Sequence, residues 1–454
     1  MKRLLTAIGL LAICIPSLLA WNLLHYQIGD LYYNIDTISL TAEVTSQYAD
    51  YPLWRTAITT AQIPASVTYN NHNCSVVQVG NSAFSMCEQL ASVTMEEGIA
   101  SIEENAFIGC YALTSVVIPN SVTHIADDAF RWCHKLPVVN HIRYADTYLV
   151  GVVDSCLLDT SFTIKEGTRF IANLAFNGCS NLASIDIPNT VISIGESAFA
   201  CCNDLASVTL GNNVKSIEPF AFSYCPLTEL TIPASLVTIG DRAFSDCEEL
   251  TVIRVQEGNP VYDSRSNCNA LIESATNTLI LGCRNSTVPE GITAVGDYAF
   301  RNCMMLQSLV LPEGVTSIGK EAFYWCYSLK TMDMPSTITF IDERAFGTCS
   351  NLLTMTCRAT ALPELGDEVF DGVNFSKNRK TLYVPASAVE TYKAAAQWKE
   401  FPPVLPIPGT EDIDIVPQQH SRSRLFFING HIFILRADHT YTLNGQEVKQ
   451  IDVQ

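Results

Sequence analysis

Leu113-Thr-Ser-Val-Val-Ile-Pro-Asn-Ser-Val-Thr-His-Ile-Ala-Asp-Asp-Ala-Phe-Arg-Trp-Cys133 decides the fold, because most of the chain is a set of variations on it. Leu113, Val116 and Ile118 place apolar residues at positions 1, 4 and 6, the pattern of a short strand in a stacked repeat. Ile125, Ala129 and Cys133 follow four residues apart, which is one face of a short helix. The unit therefore reads as a strand, a turn at Pro119, and a helical or 3-10 segment that returns the chain. One such unit cannot bury its own apolar side and is stable only when stacked on copies of itself.

The copies are regular. An Ala-Phe pair ends at Phe84, Phe107, Phe130, Phe176, Phe199, Phe222, Phe244, Phe300, Phe323 and Phe346, in steps of 23, 23, 46, 23, 23, 22, 56, 23 and 23 residues. The longer step of 46 is twice 23, and a period of this size is that of leucine-rich repeats. The 22-residue step has a local cause, since Pro226 alone stands where Tyr111 and Ala112 stand in the quoted unit. The fold class that follows is a leucine-rich repeat solenoid, an α/β coil of short parallel β-strands with helical or 3-10 return segments. Caps are expected at both ends, where a terminal unit has no neighbour to cover it.

A solenoid grows its core by addition, so 454 residues need not be divided among several conventional cores. Apolar residues make up 48% of the chain, which argues against disorder. A net charge of −19 speaks against nucleic acid or an anionic membrane as partner, because phosphates need clustered Lys and Arg. Residues 1–20, from Met1-Lys-Arg to Ala20, have a basic start, an apolar middle and a small last residue, and read as a secretory signal peptide. Ile13 precedes Cys14 where a lipid-modified cysteine would need a small residue, which favours cleavage after Ala20 and release. No later apolar run is long enough to be a transmembrane span.

Residues 21–75 form an N-terminal β cap, in which Gly29 to Ile35 and Thr41 to Thr45 alternate like strands. Repeats occupy 76–357, with inserts near 137–160 and 251–283. In the first insert the Ala-Phe pair is lost, but Cys156 lies 23 residues from both Cys133 and Cys179, and Tyr148-Leu-Val is expected to pair with Phe162-Thr-Ile. In the second, Ala270-Leu-Ile-Glu and Thr278-Leu-Ile-Leu flank Ala275-Thr-Asn277 as a hairpin. Residues 358–407 are a C-terminal cap, with a last strand at Thr381 to Pro385 and a helix from Ala388 to Lys399. A Pro-rich stretch leads into a linker at 408–424. The chain ends in a small β-hairpin tail, 425–454, whose Asn429-Gly430 and Asn444-Gly445 pairs suit hairpin turns.

Ten of the 17 cysteines stand three residues after a repeat Phe: Cys87, Cys110, Cys133, Cys179, Cys202, Cys225, Cys247, Cys303, Cys326 and Cys349. Stacking places them about 4.8 Å apart, as a ladder. The ladder lacks the paired spacing of a metal site. Bridging neighbours would break the uniform stack, so buried, reduced thiols packing as small apolar groups are expected. Cys268 and Cys283 meet across the second hairpin, where a disulfide or two free thiols both fit. Gly-x-Ser-x-Gly, His-Glu-x-x-His and a phosphate loop are all missing from the sequence, so no catalytic, cofactor or metal residues are assigned. Asp127-Asp128, Glu103-Glu104 and Asp342-Glu343 read as charges at helix starts.

Strand positions 3 and 5 face away from the core on the inner curved surface, as in Ser115/Val117, Ser184/Asp186, Glu229/Thr231 and Thr331/Asp333. Small hydroxyl residues contribute little binding energy, which concentrates in Trp, Tyr and Arg. Candidate contact residues are therefore Tyr262 and Arg265 in the second insert, with Trp132, Tyr224, Trp325 and Tyr327 around the end of the return segment. The aromatic row fits packing between units equally well.

The unit Leu-x-Ser-Ile/Val-x-Ile-Pro-x-x-Val-x-x-Ile-x-x-x-Ala-Phe-x-x-Cys resembles the BspA-like leucine-rich repeat family from roughly Ile63 to Cys357. Val261 to Ala270 is similar to a recurrent insert of that family. Thr381-Leu-Tyr-Val-Pro-Ala and Tyr392-Lys-x-x-x-x-Trp-Lys-x-Phe resemble its C-terminal cap. The tail Ile434 to Val448 is similar to short C-terminal elements on exported proteins of the same bacteria, and is shorter than their full sorting domains. The resemblance implies an exported protein, secreted or on the outer cell surface of an anaerobic Gram-negative bacterium. It implies adhesion through a protein ligand such as a host matrix or surface glycoprotein, with no residue-level motif to transfer. A structural spacer or surface-layer component without a ligand, and a glycan-binding module, are the alternatives; an enzyme is expected least.

Overall fold

The computed structural model describes residues 23–47, 58–126, 128–153, 160–375 and 380–408, with four strands between 423 and 448. Residues 1–20, Asp127, Cys156, the linker beyond Pro408 and the Asn429-Gly430 and Asn444-Gly445 pairs lie outside the described residues. The chain divides into two compact units, ending at Ile407 and starting at Pro408. The first is a coil of parallel β-strands with very little helix.

Each turn contributes two strands, not a strand and a helix. The first, such as Ser184–Asp186, carries the apolar 1-4-6 pattern and pairs in parallel with Ser207–Thr209 one turn on. The second is only two residues long, such as Ser193–Ile194, and pairs in parallel with Ser216–Ile217. This corrects the helical reading of the return segment. Ile125 belongs to the short strand His124–Ile125, and the Ala-Phe segment is a corner with two left-handed residues. Around Phe199 they are Ser197 (φ 51°) and Cys201 (φ 59°), and around Phe323 they are Glu321 (φ 51°) and Trp325 (φ 64°). A left-handed residue at every fourth position stops a right-handed helix from propagating.

A ladder between turns replaces the helical bonds. Ser197, Phe199 and Cys201 donate their N–H groups to the carbonyls of Pro219, Ala221 and Ser223 at 3.0, 2.8 and 2.9 Å. The residues between them, Ala198, Ala200 and Cys202, donate backwards to Gly195, Ser197 and Phe199. Each N–H of this corner is satisfied, which lets the corner be buried.

The side chains inherit that register. The Phe176, Phe199 and Phe222 rings stack at 4.8 and 5.0 Å with planes within 7°. The Cys202 thiol donates to the Phe176 carbonyl at 3.2 Å, and the Cys225 thiol to that of Phe199 at 3.0 Å. Each of those carbonyls already accepts the N–H of its own Cys, so the thiol fills the second lone pair. Ala would fill the space and make no such bond. Cys268 and Cys283 are not bridged; their thiols turn to the carbonyls of Ala270 and Asn269. Burial pushes the Cys303 and Cys349 thiols up to about 12, so they are protonated and unreactive at neutral pH.

The array continues past Cys357. Val369-Phe370 makes a further corner, with the Phe370 ring 5.9 Å from Phe346, and Glu364–Leu365 pairs with Phe340–Ile341. Val369 and Val373 in place of Ala and Cys hide that turn in the sequence. Thr381–Val384 is not the last strand, because Val404–Pro406 pairs beyond it. The cap helix is only Val389–Ala394, stopped by extended Ala395 and left-handed Gln397. Tyr392 and Trp398 close the core with rings 5.2 Å apart, and the buried Lys380 Nζ caps the Ser350 and Leu352 carbonyls at 3.1 and 2.6 Å. At the other end Leu23–Ile28, Leu31–Asp36 and Thr41–Thr45 form an antiparallel meander that passes into parallel pairing with His72–Val79.

Both inserts are three-stranded antiparallel units. The first is Val138–Val139, Ile142–Ala145 and Tyr148–Val152; the second is Tyr262–Asp263, Leu271–Glu273 and Thr278–Leu281. Tyr148–Val152 thus pairs upstream, and not with Phe162 as the pattern suggested. Phe162 and Ile164 are buried at first-strand positions of the next turn, where Ser161 bridges in parallel to Ser184. The second unit of the chain is a four-stranded antiparallel sheet of Ser423–Ile428, His431–Arg436, His439–Thr442 and Glu447–Val448.

Phe199→Ala is expected to destabilise the coil by about 3–5 kcal/mol in denaturant unfolding, the range for a deleted buried ring. A cost below 1 kcal/mol would mean that the stack carries little of the stability. Thiol labelling of the native chain is expected to find chiefly Cys201, the exposed cysteine among those described, and to reach the ladder after unfolding without reductant. Ladder thiols that stay silent in the unfolded chain would show them to be oxidised.

Candidate functional site

The inserts interrupt the ladder. At an unbroken corner the Phe N–H finds the next turn's carbonyl, as from Phe222 to Ala243 at 2.8 Å. The N–H groups of Phe130 and Phe244, just before each insert, have no acceptor among the described residues. The insert corners are short. Val152 and Gly282 follow the short-strand residues Leu149 and Leu279 by three positions, and they donate to Ala175 and Ala299 where a Phe would otherwise donate. A Cβ at Gly282 would run into the Phe300 ring, so no aromatic ring continues the stack there.

Side chains pin the seams where backbone bonds are missing. Across the second seam Arg242 lies 3.7 Å over the Tyr298 ring, Asp246 meets Arg301 at 3.5 Å, and Asn302 donates to Glu248 at 2.7 Å. Asn259 donates to the carbonyls of Pro233 and Leu236, both at 2.9 Å. Across the first seam Arg169 caps the equivalent carbonyls of Pro119 and Val122 at 3.2 and 2.7 Å. A cavity of about 250 Å³ opens at the second seam between the Phe244 corner and the hairpin residues Ile280 and Leu281.

The structure disperses the six predicted contact residues. Tyr262 is buried, lines that cavity, and accepts the Ile239 N–H at 3.1 Å with its hydroxyl. Arg265 is held inside the hairpin by Asp263 at 2.5 Å and Asn277 at 2.9 Å. Burial pushes the Asp263 carboxyl up, but hydrogen bonds from Arg265 and Ser274 outweigh it and hold the group at about 2. Trp132, Tyr224 and Trp325 occupy one corner position, two residues after the Phe, with φ of 62°, 59° and 64°. Trp132 and Tyr224 are 42% and 49% exposed, whereas Trp325 is half-buried with the Arg301 guanidinium 4.9 Å from its ring. Tyr327 is exposed on the same edge. Trp132, Tyr224 and Trp325 share a position but stand on separate turns, so they form a row of single contacts.

On the long-strand face, Glu229 and Asp333 pair with Arg254 and Arg358 of the following turn, at 3.2 and 2.7 Å. Sequence reasoning missed Arg242, Asp246 and Arg301, whose partners lie across an insert; the 56-residue step is the signal that marks the place. Among the described residues no group of three His, Cys, Asp or Glu side chains is placed to hold a metal ion, and no helix is long and apolar enough to cross a membrane.

A family model for the BspA type leucine rich repeat region matches residues 32–137, 58–182, 169–278 and 280–391. The chain belongs to this family. Among solved structures, this BspA-type chain is similar to a leucine rich cell surface protein from Faecalibacterium prausnitzii, at 25% identity and a TM-score of 0.45, over 86% of this chain and 96% of that one. It is similar to the pneumococcal vaccine antigen PcpA at 20% identity and a TM-score of 0.43, over 80% and 82%. A leucine-rich repeat protein from Bacteroides ovatus matches at 21% identity and a TM-score of 0.35, over 83% and 97%. No curated protein matches the chain.

Asp263 is held below its unfolded value near 4, so its contribution is complete above about pH 4 and is lost as the pH falls toward 2. Asp263→Asn is therefore expected to be less stable than the parent at neutral pH, with the two unfolding curves converging between pH 4 and pH 2. A difference that stays constant over that window would contradict the ion-pair assignment.

Proposed function

We propose that this BspA-type repeat protein is exported and works without catalysis, binding a protein partner at or beyond the cell surface. The observation that carries the reading is the residue choice at the exposed corners. Gly109, Gly178 and Gly372 fill the left-handed position two after the Phe, where glycine is free of strain. Trp132 and Tyr224 hold the same backbone at a conformational cost, with rings 42% and 49% exposed. Such rings add little to the core, and exposed Trp and Tyr are the residues in which binding energy concentrates. The basic-apolar-small pattern of residues 1–20 supports export. Host matrix or surface glycoproteins are the partner class that the family resemblance suggests.

The test is to screen the chain from Trp21 to Gln454 against an array of matrix proteins, surface glycoproteins and glycans. Trp132→Gly with Tyr224→Gly is expected to leave the Tm unchanged or higher, while weakening the bound protein at least tenfold. A blank array would favour the spacer reading. A ligand held at full strength by the double variant would move the contact surface elsewhere.

A further inference from the structure

The second seam holds unpaired donors beside a cavity. Phe220, Phe222 and Tyr224 donate along the coil to Asp241, Ala243 and Ser245. Arg242, Phe244 and Asp246 take the same three positions one turn on, and none of their N–H groups has an acceptor among the described residues. Phe244 is 4% exposed, and the Arg242 Nε is buried and equally without a partner. Buried donors left unpaired are rare and costly. Arg242 and Phe244, but not Asp246, line the cavity of about 250 Å³, with Ile280 and Leu281 of the hairpin on its wall and the carboxylates of Asp241, Glu273 and Asp297 around it.

We propose that this cavity binds the carboxylate end of a partner's extended peptide. The peptide takes the rung that the insert leaves out. Donors at every second residue match an extended strand, whose carbonyls on one edge repeat about every 6.6 Å. The terminal carboxylate sits at the Phe244 N–H and the outer nitrogens of the Arg242 guanidinium, which Tyr298 holds in place, with the last side chain against Ile280 and Leu281. Asp241, Glu273 and Asp297 favour a basic residue just upstream. The volume is below the roughly 300–1,000 Å³ of pockets for drug-sized ligands, so it suits one or two residues and not a folded surface. The proposal deepens the protein-binding reading and rests on it for the class of partner.

The probe is a pool of random hexapeptides with free C-termini, tested against the full chain by thermal shift and fluorescence polarisation beside the same pool amidated. The free pool is expected to raise the Tm, with amidation weakening binding at least tenfold. Arg242→Gln, and Leu281→Trp which fills the cavity, are each expected to abolish the shift in a folded chain. The amidation comparison needs no variant, so it stands even if a substitution prevents folding. No shift with the free pool, equal binding of the amidated pool, or full binding by folded Leu281→Trp would each overturn the proposal. An array ligand lost in the Trp132→Gly/Tyr224→Gly chain but kept in Leu281→Trp would sink this site and leave the surface reading intact.

Discussion

Between the Phe199 N–H and the Ala221 carbonyl runs a 2.8 Å hydrogen bond that recurs from turn to turn at the Ala-Phe corners, and the geometry of the coil depends on it. A corner can point alternate N–H groups along the solenoid only if its backbone changes hand, which is why two left-handed residues flank each Phe. The bond fixes the spacing of turns, and the Phe rings then stack at about the strand-to-strand distance. It leaves one carbonyl lone pair free at the Phe, and within the unbroken runs the thiol of the following turn takes it, as Cys225 does at Phe199. Ring, thiol and left-handed residue are three consequences of one backbone bond.

Where that bond is missing, the molecule uses charge and aromatic faces instead. The short-strand sheet is divided into three pieces, each started by an antiparallel unit: the N-terminal meander and the two inserts. At the second seam the apolar core also divides, one cluster ending with Leu271 and Cys283 and the other including Cys268, Ile272 and Leu279. At the first seam the core is continuous. Ion pairs and capped carbonyls restore some of what a lost rung removes, but a partly buried pair such as Asp246–Arg301 bears a desolvation cost that a backbone bond does not. The second seam is therefore the place where the corner ladder and the apolar core are both interrupted.

Much of the fold was legible because a fixed period in apolar residues can be met only by stacking. The period, the first strand of each turn, and the shared depth of Phe199 and Cys202 all follow from it. The helix was misread because a spacing of four residues between Ile125, Ala129 and Cys133 is produced equally by a helix and by a corner that reverses hand every fourth residue. The Phe370 turn was hidden because Val there does the work of Ala and Cys. Tyr262 looked like a surface contact because sequence shows an aromatic residue in a loop, and not the Ile239 N–H to which it is bound. Seam residues such as Arg242 and Arg301 obey no period, since what they face is set by the length of the insert between them.

Native-state hydrogen exchange at the corner amides tests the account most directly. The Phe176, Phe199, Phe222 and Phe323 N–H groups, each bonded to the next turn, are predicted to exchange only through large-scale opening of the coil. Those of Phe130 and Phe244 are predicted to exchange at least about a hundredfold faster under the same conditions. Equal protection at all six would show that the ladder runs unbroken through the inserts, and would contradict the seams.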